Sequence, residues 1–158
     1  MLTVGIGEYA ITDDPNEVLV THALGSCVAF MAYIPATKLT ALAHVVLPKM
    51  EREEQIQYLA EKPAYFGNVI VPKIVEFFLE RNNGNKENIL FYLAGGAEAL
   101  NAEDIFRVGI RNRSAILEIL NEYRIIPRAQ DTGGNMSRTV SIAAKYGAVT
   151  VKCHSMIL

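Results

Sequence analysis

Residues 27–34 read CVAFMAYI and residues 38–47 read KLTALAHVVL, and these two apolar runs decide how the chain folds. Both runs are short and rich in β-branched or aromatic residues, which favours strands. Pro35, Ala36 and Thr37 separate them, and proline presets the backbone of a turn. The pattern therefore predicts an antiparallel hairpin.

Similar apolar runs at 3–12 (TVGIGEYAIT) and 17–24 (EVLVTHAL) bring the expected number of strands before residue 48 to four. Because the connections are short, we expect consecutive strands to pair. The polar segment 50–62 (MEREEQIQYLAEK) indicates a short exposed helix or a loop.

Apolar residues at helical spacing between 69 and 79 and between 111 and 125 predict two main helices. Pro72 implies that the first helix either begins near Val71 or is kinked. The remaining apolar segments predict a buried strand at 88–97, a strand at 124–130 and a hairpin at 138–153. The expected fold is therefore α+β: a layered sandwich with a mixed, largely antiparallel sheet and two main helices.

Composition limits the function classes. The chain has 158 residues, 51% of them hydrophobic, which predicts a single domain over 1–158. A net charge of -2 without a dense basic run argues against nucleic-acid binding. The apolar runs are too short for a membrane helix, no secretory leader opens the chain, and Cys27 and Cys153 are far apart. We therefore expect a cytoplasmic protein with reduced thiols.

Cys27 and His44 are the candidate reactive groups. If the hairpin turn is centred between residues 35 and 36, the numbers of opposed residues sum to about 71, which places Cys27 opposite His44. An imidazole within hydrogen-bond reach activates a thiol. Gly25 and Ser26 precede the thiol and allow a sharp turn that aims backbone N–H groups at an oxyanion. A buried core cysteine and a core histidine fit the same spacing.

Other residues offer weaker alternatives. His22 is expected at the surface or behind the residues of the site, and Cys153 is expected to be a core thiol beside an exposed His154. A zinc site from His22, Cys27 and His44 lacks any standard ligand spacing. The glycines of DTGGN (131–135) suggest a structural turn rather than a phosphate cradle, because no P-loop lysine or helix follows them.

Six short polar or glycine-rich segments occur along nearly the whole chain. Packing of an apolar core alone would not require the residue types at several of these positions. In combination they resemble the chemoreceptor glutamine deamidase family CheD of bacterial and archaeal chemotaxis. The segments are GIGEY (5–9), T-x-x-L-G-S-C-V (21–28), A-H-x-x-L-P (43–48), AGGA (94–97), GIRN (109–112) and D-T-G-G-N-x-x-R (131–138).

The resemblance implies a thiol amidohydrolase with Cys27 as nucleophile, His44 as base and Thr21 as the third member, without a metal or organic cofactor. The implied fold is similar to the catalytic domain of deamidating toxins such as cytotoxic necrotizing factor. Members of the family convert glutamines on the cytoplasmic helices of methyl-accepting chemotaxis receptors into glutamates. Some also hydrolyse glutamyl methyl esters, and many bind the phosphatase CheC.

The sequence departs from the family pattern at His22 and Ala23, where members often carry small or aliphatic residues including glycine, and at Leu100, where an aromatic residue is common. Two other functions stay open at this point. One is a binding module that engages CheC or receptors with little catalysis. The other is thiol hydrolysis of an unrelated amide or ester, because a fold and a triad do not select a substrate.

Overall fold

Strand β4 (Val28–Ile34) is buried along its whole length and lies at the centre of a five-stranded sheet. It pairs antiparallel with its neighbours on both sides, β5 (Leu39–Val45) and β6 (Leu90–Gly95). The edge strands are β2 (Tyr9–Thr12) and β7 (Ala129–Thr132). This computed structural model describes residues 1–98 and 107–155, so Leu100 lies outside the described residues.

A second sheet covers one face of the first. Its strands occur in the order β1 (Leu2–Thr3), β3 (Val18–Leu24), β8 (Met136–Ala143) and β9 (Ala148–Ser155). Side chains from both sheets form one apolar cluster, which includes Leu19, Met31, Leu42 and Ile142. We call the space that this cluster fills the inter-sheet layer.

Two helices, α2 (Gly67–Arg81) and α3 (Val108–Glu122), cover the other face of the five-stranded sheet. The segment before them forms a 3-10 turn (Glu53–Gln57) and a short helix α1 (Tyr58–Glu61) without buried residues. The predicted α+β sandwich with largely antiparallel pairing is confirmed. Helix α2 begins four residues before Val71 and continues through Pro72, so of the two alternatives the start near Val71 is wrong.

Several predicted strands differ from the observed ones. Five strands, not four, precede residue 48, because the chain turns between residues 4 and 8, where Gly7 has φ +74°. The expected pairing of consecutive strands is wrong for β1 through β4, since each of these steps crosses to the other sheet. The strand expected at 124–130 is displaced to β7, whereas the hairpin of β8 and β9 is confirmed.

The central hairpin has a different register from the predicted one. Ala29, not Cys27, lies opposite His44. The turn contains four residues between Ile34 and Leu39 and ends at Lys38, which has φ +66°, so its centre lies one residue later than expected. Because side chains alternate with a period of two, this shift of two residues keeps the predicted face.

A bulge interrupts β3 between Thr21 and Leu24, and Ala23 within it has φ +56°. Glycine adopts this left-handed conformation without the penalty that a Cβ brings. Ala23 is exposed, so its methyl group contributes little packing.

We predict that Ala23→Gly raises the free energy of unfolding by about 0.5–1 kcal/mol, measured by urea denaturation. Ala36→Gly is the control, because Ala36 is exposed in a turn but has no positive φ. The free energy of unfolding of Ala36→Gly should be lower than that of the parent chain or equal to it. Equal effects of the two substitutions would contradict the assignment of strain to Ala23.

Candidate active site

Thr21 and His44 meet in the inter-sheet layer, where both side chains are fully buried. The Thr21 Oγ1 atom lies 2.7 Å from His44 Nδ1 and 2.7 Å from the Val4 carbonyl oxygen. A hydroxyl has one proton, and a carbonyl can only accept, so Thr21 donates to Val4 and accepts from the Nδ1–H of His44. This arrangement fixes the imidazole tautomer and leaves Nε2 with a free lone pair.

The Nε2 atom of His44 is buried and has no hydrogen-bond partner within the described part of the chain. Burial lowers the pKa of His44 from 6.5 to about 4, because an imidazolium would lose its hydration. The residue that contacts Nδ1 is a neutral threonine rather than a carboxylate, so this contact supplies no negative charge to offset the cost. His44 is therefore a neutral base at physiological pH.

Cys27 lies just before β4, where the chain crosses between the sheets, and its half-buried side chain packs against the inter-sheet layer. Burial raises the pKa of the Cys27 thiol to about 11. In residues 1–98 and 107–155 the thiol makes no hydrogen bond to His44 Nε2. Both groups are thus neutral at physiological pH, a thiol at Cys27 and an imidazole at His44.

The three carbonyl groups of residues 25–27 accept hydrogen bonds from the segment after β6 and from helix α3. The Gly25 carbonyl accepts from Ala97 N at 2.9 Å and that of Cys27 from Gly96 N at 2.8 Å, while the Ser26 carbonyl accepts from Asn112 Nδ2 at 2.9 Å. In a trans peptide the carbonyl and the following N–H point in opposite directions. The N–H groups of Ser26 and Cys27 therefore point away from these partners, and neither donates to another described residue.

Asn112 is a site residue that the sequence reasoning missed. Its Nδ2 atom also donates to the Val46 carbonyl at 2.9 Å, so one side chain links the segment before Cys27 to the segment after His44. A signal was present in the sequence. Asn112 occupies the buried stripe of α3 with Ile116 and Leu120, at spacing where an apolar residue is expected.

The glycine-rich segments assemble around one backbone carbonyl. Gly95 O accepts from Gly133 N at 2.9 Å and from the buried guanidinium of Arg138 at 3.1 Å. Arg138 also donates to Gly133 O and pairs with Asp131 at 3.2 Å. Gly133 and Gly134 have positive φ, so the expected structural turn, rather than a phosphate cradle, is what these contacts support.

The other candidates lie outside this arrangement. His22 is exposed, as predicted, but Cys153 is also exposed, so its prediction as a core thiol is wrong. Strand β9 is a sheet edge, and both sides of its last residues face solvent. The described residues contain no group of three or more His, Cys, Asp or Glu side chains placed to hold a metal ion. No helix among them is long and apolar enough to cross a membrane.

Comparison with known proteins connects this arrangement to a family. The family model described as "CheD chemotactic sensory transduction" matches residues 46–153. The chain belongs to the CheD family. A "Chemoreceptor glutamine deamidase CheD" from Thermotoga maritima is 34% identical over 149 residues, covering 94% of this chain and 89% of that protein.

Two other CheD relatives are similar to the chain over nearly its full length. A "Probable chemoreceptor glutamine deamidase CheD" from Syntrophotalea carbinolica is 35% identical, covering 96% of this chain and 93% of that protein. A "Probable chemoreceptor glutamine deamidase CheD 2" from Anaeromyxobacter dehalogenans is 34% identical, covering 96% and 94%. These matches include the N-terminal part of the chain, which precedes the family-model match.

Burial of neutral His44 makes the stability of this CheD protein depend on acid pH. Its pKa is about 4 when folded, below the ordinary 6.5, so the unfolded chain takes up the proton first. Stability should therefore fall as pH decreases from 6.5 to 4, with this histidine contributing roughly 1.4 kcal/mol per unit. The free energy of unfolding, measured by urea denaturation at several pH values, should change less per pH unit in His44→Gln than in the parent chain. Exposed His22→Gln is the control, and equal slopes in both variants would contradict burial of a neutral imidazole.

The high pKa of the Cys27 thiol predicts slow alkylation at neutral pH. In a Cys153→Ser background, the rate constant with iodoacetamide should rise about tenfold per pH unit between 7 and 10, because the thiolate reacts. It should level off near the thiol pKa of about 11. Mass spectrometry of the alkylated peptide measures the rate. A plateau already reached below pH 7 would instead indicate a preformed ion pair with His44.

Proposed function

We propose that this chain deamidates glutamine side chains of chemoreceptors, with Cys27 as nucleophile, His44 as general base and Thr21 as the residue that orients the imidazole. The observation that carries the proposal is the Thr21–His44 hydrogen bond, because it leaves Nε2 free in the layer against which Cys27 packs. The printed names of the relatives supply the substrate class. No step of this reaction requires a metal or organic cofactor.

The proposed reaction begins when the Cys27 sulfur attacks the carboxamide carbon of glutamine and the thiol proton moves to His44 Nε2. The N–H groups of Ser26 and Cys27 stabilise the oxyanion. Nε2–H then protonates the departing ammonia as the C–N bond breaks. Water, deprotonated by Nε2, attacks the thioester, which releases glutamate and restores the thiol.

Proton transfer and bond formation are coupled in this proposal, since a separated thiolate and imidazolium would both lack hydration. The Nδ1–H to Thr21 bond keeps the ring in one orientation while Nε2 gains and loses its proton. A glutamyl methyl ester presents the same carbonyl geometry, so methylesterase activity is part of the proposal. We further propose that the chain acts in the cytoplasm on receptor helices and binds a CheC-type phosphatase.

Incubation with a receptor cytoplasmic fragment should convert particular glutamines to glutamates, which peptide mass spectrometry detects as a mass increase of about one unit. Cys27→Ala should abolish conversion. Thr21→Val, which removes the hydroxyl but keeps the shape, should lower kcat by about 10- to 100-fold, and Thr21→Ser should retain most of it.

Two results would contradict the proposal. Conversion that persists in Cys27→Ala would exclude this nucleophile. Absence of conversion with folded wild-type protein and receptors from the same cell, together with tight receptor or CheC binding that survives Cys27→Ala, would favour the binding module instead.

A further inference from the structure

We infer that Asn112 is a positioning residue, which orients the backbone N–H of Cys27 as the principal oxyanion donor. The inference rests on the proposed function only for the identity of the substrate, since any carbonyl attacked by Cys27 would use the same donor. It assigns a catalytic purpose to a buried helix residue that is distant in sequence from Thr21, Cys27 and His44.

The orientation of the Asn112 amide is unambiguous. Its Nδ2 atom lies 2.9 Å from the carbonyl oxygens of both Ser26 and Val46. The reverse orientation would place Oδ1 against two other oxygens, which repel it. Asn112 thus uses both of its amide protons, one for each of the two chain segments that carry Cys27 and His44.

The contact with Ser26 determines where the next N–H points. The Ser26 carbonyl and the Cys27 N–H belong to one peptide unit, and no cis peptide bond occurs among the described residues. In a planar trans unit the two groups are antiparallel, so fixing the oxygen fixes the direction of the hydrogen. Asn112 holds the oxygen from the helix side, so the Cys27 N–H, which lies in the same peptide plane, points in the opposite direction, away from Asn112.

The burial of Asn112 indicates that its side chain matters through the hydrogen bonds that it donates. Its side chain is fully buried, yet Oδ1 has no hydrogen-bond partner in the part of the chain that the structure describes. A buried amide with an unpartnered oxygen is unfavourable compared with an apolar residue in the same stripe. The position therefore retains a polar group whose value lies in its two donated bonds.

Two reagents distinguish the effect of the oxyanion donor from the reactivity of the Cys27 nucleophile. Acylation of Cys27 by p-nitrophenyl acetate passes through a tetrahedral oxyanion: the sulfur bonds to the carbonyl carbon, the thiol proton moves to His44, and p-nitrophenolate leaves. Alkylation by iodoacetamide displaces iodide and forms no oxyanion. The ratio of the two rate constants therefore reports the oxyanion donor, because the Cys27 sulfur is the nucleophile in both reactions.

The experiment uses the full chain with Cys153→Ser, and the Cys27→Ala variant supplies the background rate. Asn112→Leu, which fills the site without donors, should lower the acylation-to-alkylation ratio about 10- to 100-fold and leave the alkylation rate within about threefold. Ile116→Val is the matched control, because it weakens the buried face of the same helix without touching the site. Its ratio should equal that of the parent.

An unchanged ratio in folded Asn112→Leu, or an equal fall in Ile116→Val, would overturn the inference. If Asn112→Leu does not fold, Asn112→Ser, which is smaller and keeps one hydroxyl donor, should show an intermediate ratio, and a parental ratio there would equally overturn it. With a receptor fragment as substrate, the Asn112 variants should have a lower kcat than the parent chain and a KM that changes little. A wild-type protein that reacts with both reagents but converts no receptor glutamine would reject the proposed substrate while the ratio still tests Asn112.

Discussion

Neither face of strand β4 can meet water, and this constraint shapes the rest of the molecule. Its seven residues are at most 2% exposed and alternate between two apolar clusters. Each face therefore requires its own cover: two helices on one side and a second sheet on the other. The second cover creates a dry layer between the sheets, and the candidate nucleophile and base both adjoin that layer. Apolar burial thus produces the low-dielectric surroundings that keep the thiol and imidazole neutral.

The polar residues with chemical or architectural roles share one property: each replaces an apolar residue at an inward position. Thr21 follows the alternation of Leu19 on β3, and His44 that of Leu42 on β5. Arg138 begins the buried alternation of β8, and Asn112 interrupts the stripe of α3. Every such position lowers the apolar area that folding buries, and specific hydrogen bonds offset that loss. The candidate base and its threonine partner therefore lie in the core itself, whereas Cys27 lies in the half-buried segment before β4.

The sequence predicted the fold class and the side of the sheet on which His44 lies, because both depend on local periodicity. The face of His44 survived an error of two residues in register, since alternation repeats every second residue. Strand order was not predictable in the same way: short connections suggested neighbours, yet β1 to β4 alternate between sheets. The contacts of Asn112 were also hidden, because its partners are main-chain carbonyls at Ser26 and Val46, and no side-chain pattern marks a carbonyl as an acceptor.

Only three residues, 25–27, carry the chain from the second sheet to the first at the site, and three more, 133–135, make the return crossing from β7 to β8. The two crossings are bonded to the same short segment after β6, through Ala97 and Glu98. A taut crossing has little slack, so a small slide of one sheet over the other would displace the sulfur atom relative to the imidazole. The position of the Cys27 sulfur relative to the His44 imidazole therefore depends on how the two sheets are aligned.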